Sequence, residues 1–488
     1  MFHLVIYKKS TGEIRRVISR KSTVELHLSD LGFSSVLHGS IKVVSQLGQI
    51  KPNEWRVEKE TLVQIKNTPE IITVPGSFAA KNAQVMKLVF IGDKPTDKTG
   101  FGTQYALLER GLKTRGCQVQ YLGYQEIPRL VDMDYDFVIV LSDYLSIQEM
   151  FPQRLNNWIF WFALESSNWP REWSSRLKSI PTIVPMTQFG FDALREKKIQ
   201  CVDVIPHGIS LDEFRPIPLR QRGVVRRENK VDSCFVISYL GTNVQRKHLD
   251  RLIESYAKFV SKYDNDRKSI LLLKTKIRGA YNVPNLIDQY ATEHAIPELN
   301  KMIKILDKEM DTAQINEFIN ISDLGFNATS GEGFCVPIVE YMACGVPYLI
   351  GNHTSAVELL QGFPLIEIEK TEIDDRFKWT RYLINTDNAA TLLNEYFLKW
   401  KKNEAISKFS LRERASQFAA QRITDAWDIL LQDLEQSRLD REYKEKAQTL
   451  LEIAATPEEI EASQQIIENI QSPTQSDDLK SPNWAKVF

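Results

Sequence analysis

Leu324-Gly325-Phe326-Asn327-Ala328-Thr329-Ser330-Gly331-Glu332-Gly333-Phe334-Cys335-Val336-Pro337-Ile338-Val339-Glu340-Tyr341-Met342-Ala343-Cys344-Gly345-Val346-Pro347 is the stretch whose reading decides the fold. It reads as strand, loop, helix and helix stop. Pro337 suits a first helical turn, where its missing N–H costs nothing. Gly345 suits the left-handed position just past a helix end. The loop therefore runs from the carboxyl end of a strand into a helix N-terminus. Ligands bind there in open α/β sheets, and phosphates favour that end of a helix. Two carboxylates stand in this anion-favouring place, Glu332 on the loop and Glu340 eight residues later. A carboxylate repels phosphate but is a good acceptor for vicinal hydroxyls. The pattern assigns Glu340 to a ribose diol and Glu332, closer to the strand end, to a transferred sugar. The spacing alone would suit an exposed residue and a local cap. The strand–loop–helix context reverses that.

The same grammar extends outward from this stretch. Short apolar strands alternate with amphipathic helices, which signals parallel sheets. One series has expected strands at Phe235–Leu240, Ile270–Lys274, Ile303–Leu306, Leu324–Asn327, Pro347–Ile350 and Leu365–Ile368, with helices near 247–262, 284–293, 312–320 and 337–344. An earlier series has strands at Leu88–Gly92, Phe137–Leu141, Trp158–Leu164, Thr182–Met186 and Val202–Pro206, with helices near 103–115, 145–155 and 189–197. These are two doubly wound units facing a cleft. A basic, strand-poor segment, Arg215 to Lys230, separates them. Before them, residues 1 to about 66 alternate apolar and polar: Leu4–Tyr7 and Ile14–Ile18 flank a Ser-Thr-Gly-Glu turn and read as a β-hairpin, with further strands at Ile41–Val44 and Trp55–Val57. After them the chain is helical and charged from about 405 to 447, with one more expected helix at 456–471 and a disordered end from Ser472. The resulting division is 1–85, a β-rich accessory module and linker; 86–214, a first Rossmann-like domain; 215–232, a basic linker; 233–404, a second Rossmann-like domain; 405–447, helices; and 448–488, a polar tail.

Composition narrows the class. The 488 residues suffice for two or three domains, and the net charge of −1 excludes a simple polyanion binder. Residues 1–87 nevertheless carry about twice as many basic as acidic side chains. The five cysteines, at 117, 201, 234, 335 and 344, fit neither a zinc pattern nor a disulfide framework, so a reduced, cytoplasmic protein is expected. No apolar run is long enough to span a bilayer, and the N-terminus has no secretory apolar region before its first charges.

The segment Ser330–Pro347 resembles the donor-site signature of family 4 retaining glycosyltransferases, the pattern S-x-x-E-G-F-G-L-P-x-x-E-A-M-A-x-G-x-P, whose fold is GT-B. Two departures stand out: Cys335 replaces a usual Gly and Tyr341 a usual Ala. The resemblance covers about residues 86–435. It implies an α/β GT-B fold and metal-independent transfer of a sugar from a UDP- or GDP-sugar to an acceptor hydroxyl with retention. It assigns Glu332 to the sugar, Glu340 to the ribose, and backbone N–H groups of Gly333, Phe334 and Cys335 to the donor. In Leu240-Gly241-Thr242-Asn243-Val244-Gln245-Arg246-Lys247 the family places an Arg and a Lys on the donor diphosphate. Lys247 aligns directly, Thr242 holds the usual Arg position, and Arg246 stands in for it. Asn243 in the same turn joins the donor set. The resemblance also brings Gly100 and Gly102 of the first Gly-rich loop towards the donor, and Glu165, at a strand end, towards the acceptor or sugar. His207, in the family's interdomain segment, reads as a structural turn residue. Asp132-Met133-Asp134 mimics the Asp-x-Asp metal motif of the other major glycosyltransferase fold but precedes a strand, so no metal or other cofactor is expected. The acceptor stays open among a glycan, a lipid, a protein and hydroxymethylated DNA, the last kept by the basic segments. Two other classes stay open: a non-catalytic nucleotide-sugar-binding or assembly protein, and a GT-B epimerase or phosphorylase.

Overall fold

The computed structural model describes residues 2–8, 14–20, 38–44, 55–58, 61–64, 85–97, 99–143, 157–375, 378–404 and 408–453. The chain divides into two compact units, Met1–Met86 with Thr424–Val487, and Lys87–Ile423.

In the first unit, β1 (Phe2–Lys8) pairs antiparallel with β2 (Ile14–Arg20), Val5 opposite Val17, and on its other side with β3 (His38–Val44). β4 (Trp55–Glu58) and β5 (Thr61–Gln64) form a separate antiparallel pair. The expected N-terminal strands are all present. The expected linker around 67–77, the helix near 145–155, the helix at 456–471 and the polar end lie outside the described residues.

The second unit holds two five-stranded parallel sheets. The first has the order β10 (Thr182–Pro185), β9 (Trp158–Phe162), β8 (Phe137–Ser142), β6 (Lys87–Ile91), β7 (Gln118–Leu122). β8 and β9 are buried at every position, as strands covered on both faces must be, and so read as unbroken apolar runs. β7 lies at the edge with the polar alternation Gln-Val-Gln-Tyr-Leu, and no apolar run announces it. The second sheet has the order β13 (Ile303–Ile305), β12 (Ser269–Lys274), β11 (Phe235–Leu240), β14 (Leu324–Phe326), β15 (Tyr348–Leu349). In each sheet the chain winds first to one side of its opening strand and then to the other. The crevices are therefore between β6 and β8, and between β11 and β14.

Two expected strands fail, each for a local reason. Val202–Pro206 runs extended beside β10, with Val202 N–H bonded to Ile183 O and Ile205 N–H to Pro185 O, but forms no ladder. Pro185 has no N–H to return. Leu365–Ile368 reaches β15 only through a bridge between Gly351 and Ile366. The two-residue β15 offers little edge, and the chain turns instead into an antiparallel hairpin, β16 (Ile368–Ile373) with β17 (Thr380–Ile384).

The basic linker is also ordered differently from its sequence reading. It contains a helix, Leu219–Glu228, whose Arg222 and Arg226 both bond Asp323, at 2.6 and 3.0 Å. Arg226 is buried and also donates to the carbonyls of Ile321 and Cys234. These charges tie the linker to the second sheet and are not a free anion-binding surface. The chain passes between the two sheets at 205–214 and returns at 418–420. The crossings are stitched together: Ile209 N–H bonds Phe418 O, and Ala420 N–H bonds Ile209 O. The Gln104 side chain both donates to Gly208 O and accepts from Gly208 N–H.

Candidate active site

The site grows from the crevice between β11 and β14. After β14, the Asn327 side chain accepts from Thr329 N–H and bends the chain into the loop. The loop ends in the helix Val336–Ala343, with Pro337 in its first turn. Cys335 caps this helix at φ 67, ψ 67, the left-handed region. That explains why glycine is usual there, since a Cβ is penalised in this conformation. At the other end Gly345 has φ 69, its N–H bonds Met342 O, and Val346 N–H bonds Tyr341 O, which together satisfy the last helical carbonyls.

After β11, a 3-10 turn at Gln245–Lys247 brings two cations against this loop. Arg246 lies 2.9 Å from one Glu332 oxygen and Lys247 2.5 Å from the other. Arg246 also donates to Gly331 O at 2.6 Å, and its own carbonyl accepts from Ser330 N–H. Burial would raise the Glu332 carboxyl, but Arg246 and then Lys247 outweigh it and hold it at about 2. Burial likewise opposes charge on Arg246, and Glu165 and Glu332 more than restore it.

Glu165, just beyond the carboxyl end of β9, reaches the same arginine from the opposite sheet, 3.0 Å away. Arg381 on β17 approaches Glu165 at 3.4 Å and Asp374 at 3.2 Å, with its guanidinium over the Trp379 ring. Ser166 Oγ donates to Thr380 O, and Ser167 Oγ lies 3.2 Å from Tyr382 Oη. A second set of cross-cleft bonds runs from the backbone N–H groups of Gln188 and Phe189 to Glu358, whose carboxyl burial pushes up to about 7. The fit at the loop is tight. A Cβ on Gly331 would fall 2.5 Å from Glu165 O, and one on Gly333 2.9 Å from Ala163. Residues 163–165 thus cover the loop, and every residue from Asn327 to Cys335 is buried.

The structure brings Glu332, Arg246, Lys247 and Glu165 into one network. Gly333, Phe334 and Cys335 follow on the loop, with the Phe334 ring packed between His207 and Phe418. Glu340, on the helix Val336–Ala343, is half-buried, and burial raises its carboxyl to about 7. Asn243 has another job: its amide donates to Lys276 O and Tyr281 O and accepts from Tyr281 N–H, so its side chain braces the 276–281 loop and is not free for a donor. Gly102 packs against the Lys94 carbonyl, while Gly100, the first residue of helix Gly100–Lys113, faces open space. His207 is fully buried among Phe101, Trp161 and Phe334, and burial holds its imidazole neutral, its pKa down at about 3. Asp134 pairs with Lys87, at the amino end of the first sheet and away from the cleft end.

Arg381, Asp374, His353 and Thr354 were missed from sequence. Arg381 did carry a signal, an arginine in the alternation Trp379, Arg381, Leu383, all three buried. His353 and Thr354 also did, as polar residues directly after an apolar strand.

Two parallel sheets of this order, with a charged loop at the second one's crevice, define a GT-B protein. Solved structures agree in fold. Sucrose-phosphate synthase from Thermosynechococcus elongatus is similar with TM-score 0.57 and 14% identity, covering 72% of this chain and 100% of that one. A glycosyltransferase from Rickettsia africae gives 0.54 and 16%, covering 72% and 98%. Anabaena HepE, in complex with UDP and glucose, gives 0.54 and 14%, covering 71% and 100%. No curated protein sequence matches the chain. Residues 224–422, which include Arg246, Lys247, Glu332, Glu340 and Arg381, match the family described as glycosyl transferases group 1. Among the described residues no helix is long and apolar enough to cross a membrane.

Proposed function

We propose that this protein transfers a sugar from a nucleoside-diphosphate donor, a UDP- or GDP-sugar, to an acceptor hydroxyl with retention of configuration. The observation that carries the reading is the convergence of Arg246 and Lys247 on the Glu332 loop, at the crevice of the group 1 domain. As the glycosidic bond breaks, negative charge grows on the departing diphosphate, and two preplaced cations stabilise it in a water-poor site. They take the place of a metal ion in this role. Once the diphosphate engages the cations, the Glu332 carboxylate is freed to accept from sugar hydroxyls. Glu340 accepts from the ribose diol, and Glu165 addresses the acceptor or sugar from the other side. Anabaena HepE, similar in fold, is described with UDP and glucose, which favours a UDP-sugar as the first donor to try.

A second reading, a nucleotide-sugar-binding protein without turnover, draws on one observation: residues 163–165 lie directly on the loop a donor sugar must reach. A panel of nucleotide sugars, scored for thermal shift and for slow release of UDP or GDP with and without chelator, separates the two. Thermal shift with nucleotide release that a chelator does not stop supports the transferase. Binding with no release from any donor supports the second reading.

A further inference from the structure

Residues Gly351–Thr354, just after β15, make a tight turn. His353 N–H bonds Gly351 O, its ring lies against Gly351 so closely that a Cβ there would sit 2.7 Å from it, and Thr354 has φ 44. A β-branched residue at positive φ is a true outlier, and such conformations persist only where surrounding contacts hold them. Both side chains of this turn are buried, and both are spent on the Glu332 loop. Thr354 Oγ1 accepts from Glu332 N–H at 3.2 Å. His353 Nε2 lies 2.7 Å from Thr329 O, and Nδ1 lies 3.1 Å from Thr354 Oγ1.

The partners fix the proton positions. A carbonyl only accepts, so Nε2 carries the hydrogen and Nδ1 is bare. The Thr354 hydroxyl then donates to Nδ1 while accepting from Glu332 N–H. One continuous chain of hydrogen bonds results: Glu332 N–H to Thr354 hydroxyl, Thr354 hydroxyl to His353, His353 to Thr329 O. It grips the loop at both ends of the four residues Thr329–Glu332. Burial, which pushes the His353 pKa down to about 4, keeps the imidazole in this neutral form near neutral pH. The ring also stacks on Tyr382, centroids 5.5 Å apart, and Tyr382 N–H bonds Ser330 O, so the β17 strand backs the same grip.

We propose that Thr354 and His353 are positioning residues that clamp the backbone of the Thr329–Glu332 loop so that the Glu332 carboxylate stays beside Arg246 and Lys247, where the donor sugar arrives. The proposal rests on the donor-site reading above. A turn that served packing alone would have no use for a hydroxyl at a strained position. Three substitutions separate shape from hydrogen bonding. Thr354→Ser keeps the hydroxyl, Thr354→Val keeps the shape without it, and Thr354→Gly relieves the backbone strain without it.

The first readout is amide hydrogen exchange of the loop in the full chain, which needs no turnover. Protection of the Glu332 amide should fall about tenfold or more in the valine and glycine variants, the scale of one buried hydrogen bond, and stay near wild type in the serine variant. The second is kinetic, on whichever donor the wild-type protein turns over. The valine and glycine variants should lose about tenfold or more in kcat with little change in KM for the nucleotide sugar, because the nucleotide is held elsewhere, and serine should rescue. The glycine variant should melt no lower than wild type, so lost turnover cannot be lost folding. Wild-type loop protection in both the valine and glycine variants overturns the clamp, as does wild-type kcat in both. If the wild-type protein turns over no donor at all, it is the transferase reading that fails, and the exchange experiment still decides the clamp.

Discussion

Glu165→Gln is the change from which most can be learned. The Glu165 carboxylate competes for Arg246, the residue proposed to take the donor diphosphate. Its side chain is 15% exposed and lies 3.0 Å from Arg246 and 3.4 Å from Arg381. Two unit charges about 4 Å apart at an effective dielectric of about 20 attract by about 4 kcal/mol. Glutamine keeps one acceptor oxygen for Arg246 while Arg381 keeps Asp374, and Glu332 still neutralises Arg246, so a third to a half of that is the reasonable share to be released, about 1.5–2 kcal/mol. A ligand anion that must displace Glu165 from Arg246 gains this amount, which is about tenfold or somewhat more in affinity. The assay is calorimetric titration of UDP and GDP into wild type and Glu165→Gln at low and moderate salt. The variant should bind the preferred nucleotide about tenfold more tightly. Burial raises the Glu165 carboxyl above the ordinary carboxylate range, so the fold disfavours its charge and the melting temperature of the variant should not fall in the absence of nucleotide. Equal or weaker nucleotide binding by the variant would refute the competition argument, whatever happens to its turnover.

Lys247→Ala should remove most turnover, by a factor of about 100 or more, with an unchanged circular dichroism spectrum and a lowered melting temperature, because the buried Glu332 loses one of its two cations. Wild-type rates would sink the diphosphate assignment. Glu340 must be ionised for both its oxygens to accept from a ribose diol at once, and its pKa is raised to about 7. Donor KM should therefore rise as pH falls through about 7, and Glu340→Gln should bind weakly and flatten the profile. The same raised value means the folded chain binds the proton that the unfolded chain has already released, so Glu340 makes folding less favourable as pH climbs from the ordinary carboxylate range towards 7. At Cys335, glycine should be tolerated within about 1 kcal/mol, because relief of the left-handed strain offsets the lost side chain. Valine there should cost more than about 2 kcal/mol in urea unfolding, since a β-branched residue resists φ 67.

Much of the scaffold was legible because buried parallel strands advertise themselves as apolar runs. β8 and β9 could hardly be misread. β7 escaped because an edge strand needs no such run, and Val202–Pro206 was overread because apolar content cannot reveal that its neighbour ends in a proline. The donor loop was legible through Pro337 and Gly345, whose backbone preferences fix where the helix starts and stops. Side-chain commitments were less so. Asn243 looked available in the turn after β11, but its amide is consumed by Lys276 and Tyr281, more than thirty residues away. The arginines at 222 and 226 looked like an anion-binding surface until Asp323, about a hundred residues on, claimed them. Such long-range pairings leave no trace in local pattern.

The stitched crossings at Ile209 and Phe418–Ala420 set the direction in which this molecule can breathe. Both passages between the sheets leave from one side and are bonded to each other, and Gln104 grips Gly208 from both directions. A pair of jaws joined in this way parts like a clothes-peg. The stitched side is the spring, and the far tips are fastened by polar contacts, Glu165 with Arg246 and Arg381, and Glu358 with the start of helix Gln188–Glu196, and by the Trp379 ring against Trp173. Entry of a ligand to the Glu332 loop then means unfastening these polar contacts and drawing Trp379, buried against Trp173 in the core of the first sheet, away from it.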